Sequence, residues 1–214
     1  MNASGDFLAS ASPRTLFGLR VCDLGWNATL GLVESLIALR GNRSTLGFLD
    51  ERTTLRQMID PAYRSQLGRR VLLPGGGRAF SLLTKARHEK PAPVRFSATT
   101  FVPALLSFME KSHRIGIAGE DTGRIEALRE HFARHAPWHD VAVVALDQDI
   151  SQRFDLILVD AASLAQERRI ERRLALVRTG LVVMTGAGLS TFIEGKSVRV
   201  VPKADVPSPQ PSFA

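Results

Sequence analysis

The chain has 214 residues, 44% of them apolar, which suits one domain or two closely packed halves around a sizeable core. Its single cysteine, Cys22, excludes an internal disulfide and fits a reducing compartment. The net charge of +7 favours anionic partners, and no helix-turn-helix, zinc-finger or aromatic-basic motif points to nucleic acid.

Residues 1–13 are small and polar and read as a loose tail. They lack the basic start and apolar core of a signal peptide, and no later run approaches the ~20 apolar residues of a spanning helix. A cytoplasmic protein with only peripheral membrane contact is therefore expected. A strand is expected over 17–24, then a helix over 27–40 with Leu30, Val33, Leu36 and Ile37 at helical spacing, stopped by Gly41-Asn42. A strand at 45–49 leads into a helix from Thr54, which continues or restarts at Pro61. A strand at 71–73 closes on Pro74-Gly75-Gly76-Gly77, and 79–86 reads as helix.

Pro91-Ala92-Pro93 breaks the chain where two halves would meet, near 90–100. A helix over 100–111, a strand at 115–118, a helix over 124–135 and a strand at 141–146 follow. The stretch 154–196 then reads as strand, small-residue turn, basic helix ended by Gly180, strand and glycine turn. The Pro/Ser-rich residues 201–214 are expected to be disordered. The alternation predicts a three-layer, Rossmann-like α/β sandwich, with a mostly parallel sheet in one domain over 14–200. Ligands of such sheets bind at the carboxyl ends of the strands, which here places Asp160 to Gln166 and Thr185 to Thr191 near a site.

Several residue groups invite chemical readings. Gly119-Glu120-Asp121-Thr122-Gly123 follows a strand and opens a helix, as a phosphate-cradling turn does. The spacing is not that of a dinucleotide fingerprint, and Glu120 and Asp121 repel a phosphate, so the residues alone favour a structural turn. Ser163 and Gln166 form a capping box, which accounts for both without a ligand. Arg168, Arg169, Arg172, Arg173 and Arg178 crowd the basic helix and read as a solvated face more than a phosphate clamp. His113, His131, His135 and His139 carry no metal-site spacing. The sequence calls for no metal and no cofactor.

One ordered set of motifs is more specific. Ser163-Leu164-Ala165-Gln166-Glu167-Arg168-Arg169-Ile170-Glu171 resembles the Ser-Pro-Lys-Gln-Glu-Arg-Trp-Ile-Glu signature of the WecG/TagA/CpsF family. Asp60-Pro61-Ala62-Tyr63-Arg64, Leu73-Pro74-Gly75-Gly76 and the stretch from Thr99 to Leu106 are similar to its Asp-Pro-x-Tyr-Arg, Leu-Pro-Asp-Gly and Gly-Thr-Asp-x-Val-Pro segments. Gly119 and Gly123 match its glycine turn. The resemblance implies a bacterial glycosyltransferase of surface polysaccharide assembly at the inner membrane face. Such enzymes move a sugar from a nucleotide-diphosphate donor, here a UDP-sugar, to a polyprenyl-pyrophosphate-linked acceptor. It also implies a homo-oligomer or an active paralogue as partner. By resemblance, Thr53, Gly76, Gly119, Gly123, Gln166 and Glu167 would contact substrate.

The departures are systematic. The family's proposed catalytic Asp is Gly75 here, two further motif aspartates are Thr100 and Thr191, and a loop glycine is Ala162. The basic aromatic C-terminal extension is replaced by residues 206–214. A sugar transfer needs a base at the attacking hydroxyl, commonly worth ~10²–10⁴-fold. Asp50 is the carboxylate at a predicted strand end that would substitute; Glu51 would point the other way if the strand continued. Two expectations follow: a divergent transferase with Asp50 as base, or a non-catalytic relative that keeps the fold and acts as a binding or regulatory partner.

Overall fold

The computed structural model describes residues 14–39, 43–90, 92, 94–147 and 152–193. The tails expected at 1–13 and 201–214, the helix stop at Gly41-Asn42, and Pro91 and Pro93 lie outside them. The elements in chain order are β1 (Arg14–Leu16), β2 (Leu19–Val21), α1 (Trp26–Ala38), β3 (Ser44–Leu49), α2 (Glu51–Ile59), α3 (Pro61–Leu67) and β4 (Val71–Pro74). They continue with α4 (Arg78–Ala86), α5 (Ala98–Phe108), β5 (Arg114–Ala118), α6 (Thr122–His135), β6 (Asp140–Val143), β7 (Phe154–Asp160), α7 (Leu164–Leu174) and β8 (Thr179–Gly186). A short 3₁₀ turn, Ser190–Phe192, ends the described chain.

Six strands form one sheet in the order β4-β3-β8-β7-β5-β6, and every pairing is parallel. The pairing of β3 with β8 joins the part before the Pro91 segment to the part after it. Side-chain alternation then assigns the two faces. Leu156, Leu158, Leu181 and Val183 point into one core with α1, α5 and α6, through residues such as Val33, Phe101 and Phe132. Ile157, Val159, Val182 and Met184 point the opposite way, against Ile170 and Leu174 of α7. A third cluster packs Leu49 and Leu72 against α3, α4 and the first two strands. Both faces are covered, so the central strands are apolar throughout, as the sequence suggested. Each fully buried large apolar side chain contributes about 1.5–3 kcal/mol.

Four expectations are corrected. The strand expected over 17–24 is an antiparallel hairpin, β1 with β2, outside the main sheet. Phe17 and Gly18 take φ of 52° and 76°, the left-handed pair of a tight hairpin turn, and the Phe17 N–H donates to both Glu89 carboxylate oxygens at 3.1 Å. Phe at the first turn position hid that turn. The basic helix ends at Leu174, so Arg178 lies outside it. Gly180 does not break a helix; it sits inside β8, where a Cβ would stand 2.7 Å from the Ile37 carbonyl oxygen. The helices expected from Thr54, Thr100 and Arg124 begin earlier, at Glu51, Ala98 and Thr122. Their caps, Asp50, Ser97 and Asp121, each accept a backbone N–H from the first turn.

Candidate functional site

A cavity of about 790 Å³ opens at the carboxyl ends of β3, β4, β7 and β8. That volume lies in the range of small-molecule sites. Three helices begin on its wall. Asp50 to Thr53 bring the start of α2, Ser97 to Thr100 the start of α5, and Ala162 to Leu164 the start of α7. Each start carries unpaired backbone N–H groups and the positive end of a helix dipole, so anionic groups are favoured there. Arg52 and Arg95 are exposed on the rim and have no ion-pair partner among the described residues. The hydroxyls of Ser97, Thr99 and Thr100 lie within 2.9 Å of one another in two pairs.

Asp50 caps α2. The Thr53 N–H and the Thr53 hydroxyl both donate to its Oδ1 at 2.8 Å, which leaves Oδ2 for another partner. Because β3 ends at Leu49, strand alternation does not separate Asp50 from Glu51, and both carboxylates line the cavity. Gly75 stands just behind them. A Cβ there would lie 2.6 Å from the Leu49 carbonyl oxygen and 3.0 Å from the Asp50 Cα. The backbone of the β3 end fills the space that a side chain at this position needs. Gly76 does line the cavity, and a Cβ there would lie 3.4 Å from the Arg95 Cδ.

Glu167 forms part of the wall from α7, buried and held by Arg70, whose Nη1 donates to Oε1 at 2.6 Å. Arg70 also donates to Glu171 at 3.0 Å, and the Gln66 amide donates to the same Glu171 oxygen. Burial disfavours the Arg70 charge, but Glu167 and Glu171 outweigh it, and its pKa is raised. Tyr63 completes this wall. It is 0% exposed, with the Arg168 guanidinium 5.7 Å over its ring, and its hydroxyl has no hydrogen-bond partner among the described residues. Burial, assisted by Glu167, raises its pKa far from neutrality, so the phenol keeps its proton. Nearby, Asp60 caps α3 and accepts from Arg168 at 3.0 Å.

The structure thus brings Asp50, Thr53, Gly76 and Glu167 to one cavity. Gly119, Gly123 and Gln166 lie elsewhere along the same sheet edge and are not part of its lining. Gln166 completes a local cap: its N–H donates to the Ser163 hydroxyl at 3.3 Å, and its Oε1 accepts the Ala162 N–H at 2.8 Å. Beside Gly119, Arg124 pairs with the buried Asp160 at 2.5 Å, and Arg169 donates twice to Glu120. Burial pushes the Asp160 carboxyl up, with Arg124 opposing. The Arg169 hydrogen bond holds Glu120 down. Asp121 takes the Arg124 N–H at 3.0 Å and caps α6, as Asp50, Ser97 and Ser163 cap the three cavity helices. Arg52, Arg95, Ser97 and Tyr63 carry no sequence-read role; the Ser97-x-x-Thr100 cap was the available signal for α5.

Of His113, His131, His135 and His139, the last is buried, His113 and His131 are half-buried and His135 is exposed. The buried His139 accepts the His113 N–H at 3.2 Å through Nδ1, and its Nε2 sits 2.9 Å from the Leu106 carbonyl, which fixes Nε2 as the protonated nitrogen. Burial lowers its pKa. His131 and His135 share one face of α6 with parallel rings, as their spacing predicts. No helix among the described residues is long and apolar enough to cross a membrane. No protein-family model matches the chain, and no curated protein matches it significantly.

Proposed function

We propose that the cavity binds a nucleotide-diphosphate sugar, and that the chain is a glycosyltransferase-like protein of surface polysaccharide biosynthesis. The observation that carries this reading is the meeting of three helix starts, two rim arginines and a carboxylate pair in one ligand-sized cavity. The helix starts and Arg95 suit a diphosphate. Asp50 and Glu51 suit hydroxyl chemistry beside it. In this reading the acceptor hydroxyl loses its proton to Asp50 Oδ2. Its oxygen bonds to the anomeric carbon as the bond to the diphosphate oxygen breaks. The α5 first turn takes up the charge on the leaving diphosphate. The polyprenyl-linked acceptor reaches the site from a bilayer. Leu55, Met58 and Ile59 stand exposed on α2 beside Arg52 and Arg56, which suits peripheral contact with an anionic lipid surface.

Calorimetry against UDP and UDP-sugars, followed by transfer assays with polyprenyl-linked acceptors, tests the reading. Wild-type protein should bind in the micromolar range. Asp50→Asn keeps the helix cap, so it should bind equally well and lose about 10²–10⁴-fold in transfer. Unchanged transfer by Asp50→Asn removes Asp50 as base, and no binding by folded protein removes the stand-alone transferase. One observation favours the second reading, a non-catalytic partner of an active paralogue: no carboxylate-bearing side chain fits at Gly75. Binding of UDP without any transfer, together with co-purification of an active paralogue, is its expected signature.

A further inference from the structure

The Tyr63 hydroxyl is the best-placed unused group in the molecule. It is a buried polar atom with no partner among the described residues, in a side chain that lines the cavity. A buried donor without an acceptor is costly, and native proteins keep few of them. Among the described residues, the other unpartnered buried atoms belong to residues that do not line the cavity, except Arg70 Nε, whose guanidinium already pairs with Glu167 and Glu171. Among the described residues no protein acceptor stands within hydrogen-bond distance of this phenol. The nearest carboxylate on α7, Glu167, is engaged by Arg70, and the Asp50 Oδ1 is taken by Thr53.

We propose that Tyr63 is a specificity-determining residue whose hydroxyl donates a hydrogen bond to a sugar oxygen of the bound nucleotide sugar. The inference rests on the nucleotide-sugar reading and adds to it the orientation of the ligand. Tyr63 stands in the field of Glu167 and Asp50 as well as Arg70 and Arg168. Arg70 is shared between Glu167 and Glu171, and Arg168 pairs with Asp60, so neither cation is free for a phosphate. Two carboxylates and two already paired guanidiniums act on the phenol, so a phosphate oxygen gains no net attraction there. A neutral hydroxyl needs none. It accepts from the phenol and donates onward to a carboxylate such as Asp50. The diphosphate then lies toward Arg95 and the start of α5, where the hydroxyl cluster and helix dipole receive it.

The chain contains one tyrosine, which makes the test direct. Tyr63→Phe removes the hydroxyl and keeps the ring. Calorimetry is run on both proteins with UDP and with UDP-N-acetylglucosamine. The expected result is a roughly tenfold loss of affinity for the UDP-sugar in the variant, with UDP affinity unchanged. The thermal midpoint of the ligand-free variant should be equal or higher, because no protein hydrogen bond is lost. Tyrosine labelled with ¹³C at Cζ alone gives a single resonance, which should move with UDP-N-acetylglucosamine and stay with UDP. Equal affinities in both proteins, or a parallel loss for UDP and UDP-sugar, overturns the role of Tyr63 while leaving nucleotide binding intact. A lowered midpoint of the ligand-free variant also overturns it, since the hydroxyl then has a protein partner. Absence of UDP binding in the wild type is a different result: it overturns the nucleotide reading itself, and this inference with it.

Discussion

Two stretches of the same sheet edge begin from the same architecture and end in opposite states. At the ends of β5 and β7, the start of α6 is filled by its own chain: Asp121 caps the helix, Arg124 neutralises Asp160, and Arg169 holds Glu120 across the gap. At the ends of β3, β4, β7 and β8, three helix starts, capped in the same way by Asp50, Ser97 and Ser163, face open volume, two arginines lack ion-pair partners among the described residues, and a phenol lacks an acceptor. The glycine turn before α6 thus supplies no residue to the cavity lining. The surplus of unsatisfied polar groups around a void is the better sign of a ligand site.

The comparison is open to attack at its strongest contact first. Arg70→Met leaves Glu167 buried without its partner and should cost about 3–5 kcal/mol in urea unfolding. Next, Gly75→Ala sets a methyl against backbone rather than a side chain, and should cost about 3 kcal/mol. Gly119→Ala places a methyl 2.6 Å from the Ile125 side chain and 3.2 Å from the Asp160 carbonyl oxygen, and should cost about 1–3 kcal/mol. A survey of UDP binding in these variants separates space needed by the fold from space needed by a ligand.

Asp160 gives a pH signature for the filled stretch. Its folded pKa is raised by burial, so its contribution to stability is fully present below the unfolded value and is lost as pH rises through the folded one. Asp160→Asn does not titrate. Its stability relative to wild type should therefore rise as pH increases from 4 to 6, and urea unfolding of both proteins across that range reads the change. The smallest effect is expected at Gly123. A Cβ there meets only the Asp121 carboxylate, at an ordinary 3.6 Å. Gly123→Ala should stabilise α6 by about 0.4–1 kcal/mol and leave UDP binding untouched. Loss of UDP binding in that variant would return the α6 start to the ligand site and erase the contrast.

The layered architecture was readable because both faces of the sheet are covered. Runs such as residues 154–159 and 181–184 are apolar almost without interruption, and that pattern has few other homes. The Ser163 cap was readable from its local pattern, whereas the caps Asp50, Ser97 and Asp121 were not, and their helices begin earlier than expected. The hairpin was not readable either, because Phe17 holds a turn position that normally announces itself with Asn, Asp or Gly. The site was half readable. Asp50, Thr53, Gly76 and Glu167 meet as expected, whereas Gln166 spends its side chain on the Ala162 N–H. Nothing local in the sequence separates a glutamine that caps from one that binds. Tyr63 lost its partner through tertiary packing of α3 against α7, and no window of sequence contains that fact.

The hairpin also bears on how the chain behaves in a crowded solution. β4 is an outer strand, and the Cys22 N–H donates to its Leu72 carbonyl at 2.8 Å, so the ribbon occupies part of the edge where another chain would zip on. Its Leu16, Phe17, Leu19 and Val21 also shield Leu49 and Leu72. Proteolytic trimming after Cys22 would remove both covers in one cut. A nicked preparation would then be sticky, and an N-terminal tag or fusion that pulls on this ribbon would be a poor choice for purifying the protein.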